Sequence, residues 1–220
     1  MKTLVIVSHP ELSNSPTQQF LKASATPLAD VTWHHLDAAQ PFAVAEEQAQ
    51  LLKADRIVLE FPLYWYAAPA SLHQWLADVW TDEFAVRPQQ LRGKSLGLVV
   101  NFSQPEKAYQ LGGVEGVSIS ELLAPYAALA RKTGLKLLAP LTIAQFAYQT
   151  EKQRAALLVQ YQQYLTVDQP QHFDAQAAWW LQQLANSTDP TLTILADTLQ
   201  QRQDRLESLQ QTLAELKQGD

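Results

Sequence analysis

At 220 residues and 47% apolar side chains, the chain can bury one sizeable core, or one core with an appendage. With 16 basic against 22 acidic residues its net charge is -6 and no basic stripe emerges, so nucleic acid is not an expected partner. Cysteine is absent, which excludes disulfides, thiolate metal sites and thiol nucleophiles and leaves any redox chemistry to a borrowed cofactor.

The apolar run from Leu4 to Val7 is too short for a signal-peptide core, and no stretch approaches the roughly 18–20 apolar residues that span a bilayer. A cytoplasmic protein without membrane insertion is expected. Residues 1–150 alternate short β-branched runs with segments of helical period, the pattern of a parallel sheet covered on both faces. The first strand is placed at 3–8. The loop behind it, 8–16, leads into Ser15-Pro16-Thr17-Gln18, a capping-box signature with Pro at the first helical position. Such a helix start suits a phosphate, and equally serves as an ordinary solvated cap.

A more polar strand at 31–36 fits a sheet edge, and an apolar one follows at 56–61. The next loop carries Tyr64-Trp65-Tyr66; neighbouring side chains project in different directions, so the three cannot share one core. They either line a cleft fit for a planar ring such as isoalloxazine or pack beneath the loop. After Pro69, Leu72, Trp75, Leu76, Val79 and Trp80 form one helical stripe. A strand at 95–101 precedes a second capping box, Ser118 with Glu121, on a helix that Pro125 should kink and Gly134 should end in a left-handed turn. A last strand is expected at 135–143. Five such strands predict an α/β doubly wound sheet of order 2-1-3-4-5, with ligands at the carboxyl ends of the first and third.

Composition shifts near Thr166, and 166–220 reads as a helical hairpin appended to an α/β domain of 1–165. Its first helix carries Phe173, Ala177, Trp180, Leu181 and Leu184 on one face, 186–190 is the break, and Asp189 before Pro190 opens the second. That helix repeats leucine at heptad positions from Leu192 to Leu216, interrupted by Arg202, and must bury its stripe on the rest of the chain or on a second subunit. His9, His34, His35, His73 and His172 show no ligand spacing, so no metal site is expected. G-x-S-x-G, P-loop and G-x-G-x-x-G motifs are missing as well.

The run Phe61 to Pro69, continued by Leu72-His73-Gln74-Trp75-Leu76-Ala77-Asp78-Val79 and Phe84-Ala85, resembles the signature of the flavodoxin-like NAD(P)H:quinone oxidoreductases, and the likeness extends from Met1 to about Tyr148. The resemblance implies a flavodoxin-like fold and an enzyme that passes hydride from NAD(P)H to a quinone-like acceptor by a ping-pong route on a bound flavin. FMN is expected rather than FAD, since the sequence offers no clear adenine pocket. By position, His9, Ser15, Thr17 and Gln18 would meet the flavin phosphates, and Pro62, Leu63, Tyr64, Trp65 and Tyr66 the ribityl chain and ring. Where the family has Thr-Thr-Gly-Gly, this chain has Asn101-Phe102-Ser103-Gln104, whose side chains could obstruct the close approach that glycine permits. Tyr109 matches a family tyrosine over the flavin, while Glu115 stands where one branch has a catalytic His, so a His-assisted proton relay is not implied. The family also implies a homodimer. Two further readings follow from it: a regulatory subunit whose output is contact with a membrane transporter, and a scaffold that has lost its flavin.

Overall fold

The computed structural model describes residues 1–36, 41–185 and 189–218. Two compact units divide the chain, Met1–Thr166 and Val167–Asp220. The first is a parallel sheet built from β1 (Thr3–Val7), β2 (Val31–His35), β3 (Arg56–Pro62), β4 (Ser95–Phe102), β5 (Lys136–Leu137) and β6 (Leu141–Ala144). Its order is β2-β1-β3-β4-β5, with β6 also paired to β4. The fold is therefore flavodoxin-like. The fifth position, expected as one strand, is two short pieces, because Pro140 between them has no N–H to give the ladder.

Alternation along the buried strands sends neighbouring residues to opposite faces. One face, with Leu4, Ile6, Ile57, Leu59, Leu98 and Val100, is covered by α2 (Val44–Lys53), α3 (Ala70–Val79) and α4 (Ile119–Thr133). The other, with Val5, Val7, Val58, Val99 and Ile143, is covered by α1 (Pro16–Ala25) and α5 (Glu151–Thr166). Helices α2 and α5 are not among the elements that the sequence patterns predict. In α5 the buried Leu157, Tyr161, Tyr164 and Leu165 are interleaved with polar residues, and two of the four carry hydroxyls, which blurs an apolar stripe. The Tyr164 hydroxyl accepts from Leu98 N (2.9 Å) and donates to Ala139 O (3.0 Å), so α5 is fastened to the sheet by polar contacts as well as by packing.

Both ends of α4 form as its sequence signals. Ser118 and Glu121 close a complete capping box, and Gly134 ends the helix at φ 74°. The helix runs unbroken through Pro125. In the second unit, α6 (Phe173–Leu184) packs against α7 (Pro190–Gln218), and Asp189 caps α7 by accepting from Thr191 N at 2.8 Å. Of the break expected at 186–190, residues 186–188 lie outside the described residues.

Candidate functional site: a cleft at the carboxyl edge of the sheet

Behind β1 the chain turns inward. Ser8 is buried, with its hydroxyl 2.7 Å from that of Ser71 on α3. The Nδ1 of His9 accepts from Glu11 N at 3.1 Å, so a neutral ring carries its proton on Nε2, which stands 3.4 Å from the Tyr64 hydroxyl. Burial holds His9 below the ordinary histidine pKa, helped by neighbouring His35 and opposed by Glu11. His35 in turn donates to His9 O at 3.0 Å, fixing the loop to the edge strand. Ser15 caps α1 by accepting from Gln18 N at 3.3 Å. The reciprocal half of that box does not form: Gln18 Nε2 instead donates to Asn101 Oδ1 (3.3 Å), tying the start of α1 to the end of β4. Gln18 Oε1 is buried with no hydrogen-bond partner among the described residues.

Behind β3, Leu63 N donates to Asn101 O at 2.9 Å, extending the ladder by one bond. Tyr64 and Ala67 then exchange both backbone hydrogen bonds, 2.9 and 3.1 Å, around Trp65 and Tyr66. Those two residues have φ of 48° and 65°, the pattern of a tight type I′ turn normally filled by Asn and Gly. Each bulky residue held there costs roughly 1–2 kcal/mol. The three aromatics separate as strand and turn geometry demand. Tyr64 lines the cleft, Trp65 stands 93% exposed at the tip, and the Tyr66 hydroxyl donates to Glu115 Oε2 at 2.8 Å.

At the end of β4 the side chains of 101–104, which stand where the family has Thr-Thr-Gly-Gly, do not fill the hollow. Phe102 turns to the opposite sheet face and sets its ring 4.9 Å from that of Tyr109. Asn101 is engaged with Gln18, Ser103 joins the wall, and Gln104 is not part of it. Phe102 O accepts from Gln145 N at 2.9 Å, and Gln145 adopts φ 48°, which swings the segment behind β6 across the cleft.

The outcome is a cavity of about 580 Å³, within the roughly 300–1,000 Å³ that cofactor clefts occupy. It gathers His9, Ser15, Thr17, Pro62, Leu63, Tyr64, Asn101, Phe102 and Ser103 from the sequence-derived set. Gln18 lies beneath the wall; Trp65, Tyr66 and Gln104 stand outside it, as does Tyr109, 9% exposed behind Phe102. Sequence reasoning missed Asn14 and the segment Gln145, Phe146, Ala147 and Tyr148. The signal for that segment was present: two aromatics directly after a strand beside β4, the same cue that drew attention to Tyr64. Among the described residues the wall has one carboxylate, Glu11, and neither Lys nor Arg. An anion here would be held by hydroxyls, amides and the unpaired N–H groups opening α1.

A doubly wound sheet with an amide- and aromatic-lined cleft over β1 and β3, opening on a helix start, defines a flavodoxin-like protein whose cleft lies where such sheets take their ligands. Residues 1–165 match the Flavodoxin_2 family, described by its flavodoxin-like fold. The chain belongs to the flavodoxin-like NAD(P)H:quinone oxidoreductase family, a family of oxidoreductases. It is 42% identical over 140 residues to the NAD(P)H oxidoreductase YdeQ of Bacillus subtilis, spanning 61% of this chain and 71% of that one. Among solved structures it resembles an NADPH-quinone reductase from P. pentosaceus, with 48% identity, TM-score 0.73, and coverage of 76% of this chain and 98% of the other. It also resembles the general stress protein 14 of Treponema denticola, solved in complex with FMN, with 29% identity, TM-score 0.68, and coverage of 75% and 98%.

Proposed function

We propose that the chain is an FMN-dependent NAD(P)H oxidoreductase in which hydride donor and quinone-like acceptor use one opening in turn, by a ping-pong route. The observation that carries this reading is the open cavity itself, which Phe102 leaves clear by packing on Tyr109. The donor set fits FMN. Ser15, Thr17 and Asn14 at the start of α1 would hold the phosphate. Tyr64, Phe146 and Tyr148 would flank the flat ring, and the neutral His9 presents Nε2–H on the same side as Tyr64. Bound FMN would supply two-electron chemistry in both directions.

What the protein's residues do is place and exclude. The aromatic wall keeps water from the reacting face, and the Gln18 to Asn101 bond fixes the spacing between the anion end and the ring end. No lining side chain need act as a strong acid or base. Glu11 on the wall, and Glu115 held by Tyr66 beside it, disfavour anionic acceptors over neutral ones. A homodimer working in the cytoplasm completes the reading.

Titration of the purified chain with FMN, followed by absorbance and by quenching of tyrosine and tryptophan fluorescence, tests it. Saturable binding that falls at least tenfold in Tyr64→Ala is expected. Failure of FMN and FAD to bind at any concentration removes the flavoenzyme reading, and steady-state rates with NADH, NADPH and a quinone decide the co-substrate.

A further inference from the structure

The second unit lies outside the family match, which ends at residue 165. Helix α7, with 29 residues, is ~43 Å long, whereas α6, with 12, spans ~18 Å. α6 packs on one flank of α7, where Ala196, Leu199, Gln203 and Leu206 are half-buried. Leu192, Leu195, Leu209, Leu213 and Leu216 remain exposed. From Leu192 to Leu216 the seam advances in alternating steps of three and four residues, all leucine but for Arg202, which is the repeat of a left-handed coiled coil.

We infer that α7 pairs with α7 of a second copy of this chain as an antiparallel coiled coil centred on Asp204. The spacing of the seam reads the same in both directions about that residue, and so do its side chains except at the pair 202 and 206. Its two-fold register sets Leu192 opposite Leu216 of the partner subunit, Leu195 opposite the partner's Leu213, Leu199 opposite the partner's Leu209, and Arg202 opposite the partner's Leu206. The exposed leucines at both ends of the seam thus meet leucines of the copy, Leu199 and Leu206 bridge between it and α6, and the aliphatic stem of Arg202 lies on leucine while its head reaches water. A parallel pair would instead bury Arg202 against the partner's Arg202. Of the positions flanking the seam, Ala196, Thr198, Gln203, Gln210 and Thr212 are uncharged and only Arg205 and Lys217 carry charge, so they select no acidic pattern in register. Asp197, Asp204, Glu207 and Glu215 lie on the outer side. One like-charge contact remains, Arg205 with the partner's Arg205, so Arg205→Gln tightens the pair.

This inference is independent of flavin chemistry. Sedimentation equilibrium of the full chain over a dilution series reads it directly. In the doubly substituted Leu209→Asp, Leu213→Asp chain, altered beyond the reach of α6, association through α7 is lost and only that of the first unit remains, with its helical circular dichroism and its FMN titration unchanged; cross-linking through Leu195→Cys with Leu213→Cys reads the α7 pair apart from it. Because the chain has no cysteine of its own, register is read by oxidation. Leu195→Cys with Leu213→Cys goes to a covalent dimer, while Leu195→Cys alone does not. A monomer at every concentration overturns the inference, as does failure of the Leu195→Cys, Leu213→Cys chain to cross-link on oxidation. Cross-linking of Leu195→Cys by itself overturns the antiparallel register.

Discussion

Glu60→Gln separates the cost of a buried carboxyl from its usefulness. Glu60 lies in the middle of the sheet, fully buried, and accepts a 2.6 Å hydrogen bond from the Tyr161 hydroxyl on α5. Burial raises its pKa from 4.5 to about 7, with the Tyr161 hydroxyl and the Trp33 indole opposing the shift. The folded state therefore binds the proton more tightly than the unfolded one. Below pH 4.5 both states are protonated and the contribution is fully present. Between 4.5 and about 7 the unfolded chain ionises while the folded one does not, so stability falls as pH rises, and above about 7 it levels off. The loss is (7 − 4.5) × 1.36, about 3 kcal/mol, a large share of the roughly 5–15 kcal/mol of a typical domain. Glutamine keeps an acceptor for Tyr161 and cannot ionise. In urea unfolding at fixed temperature, Glu60→Gln should match the unaltered protein near pH 4.5 and exceed it by about 3 kcal/mol near pH 8, at unchanged m. A difference that stays flat across that range would refute the reasoning, because it would mean that Glu60 is as well solvated or compensated when charged as in the unfolded chain.

Other substitutions probe the site and its supports. Replacing Trp65 by Asn together with Tyr66 by Gly relieves two left-handed aromatics and should stabilise the protein by about 1–2 kcal/mol, raising Tm by roughly 2–4 °C or more in calorimetry. Ser15→Ala removes the cap of α1, costing about 1 kcal/mol in urea unfolding; FMN affinity should drop alongside it if this helix start holds the phosphate. In Gly97→Ala the new Cβ would sit 2.8 Å from Tyr164 Cε1, and since the Tyr164 hydroxyl is anchored at Leu98 and Ala139, a loss of about 1–3 kcal/mol is expected. Gln18→Ala frees Asn101 and should weaken FMN binding while leaving the far-ultraviolet spectrum intact.

The local code carried much of this protein. Alternating apolar runs, the Ser118 to Glu121 box, Gly134 and the Pro69 helix start each act over a few residues, so strands, caps and the sheet order could be read along the chain, and the aromatic run after β3 pointed to the cleft. Contacts between segments distant in sequence decided the remainder. Gln18 looks like half of a local box, yet it reaches Asn101, 83 positions away, because the sheet brings β4 beside the start of α1. Phe102 looks like an obstruction in the place of a family threonine, and strand alternation turns it onto Tyr109 instead. Helix α5 showed no clean stripe because its inner face is partly polar, with Tyr161 and Tyr164 bonded to Glu60 and to backbone groups that only the folded sheet presents. A side chain's identity sets which bonds it can make; which partner is within 3 Å depends on how the strands and helices assemble.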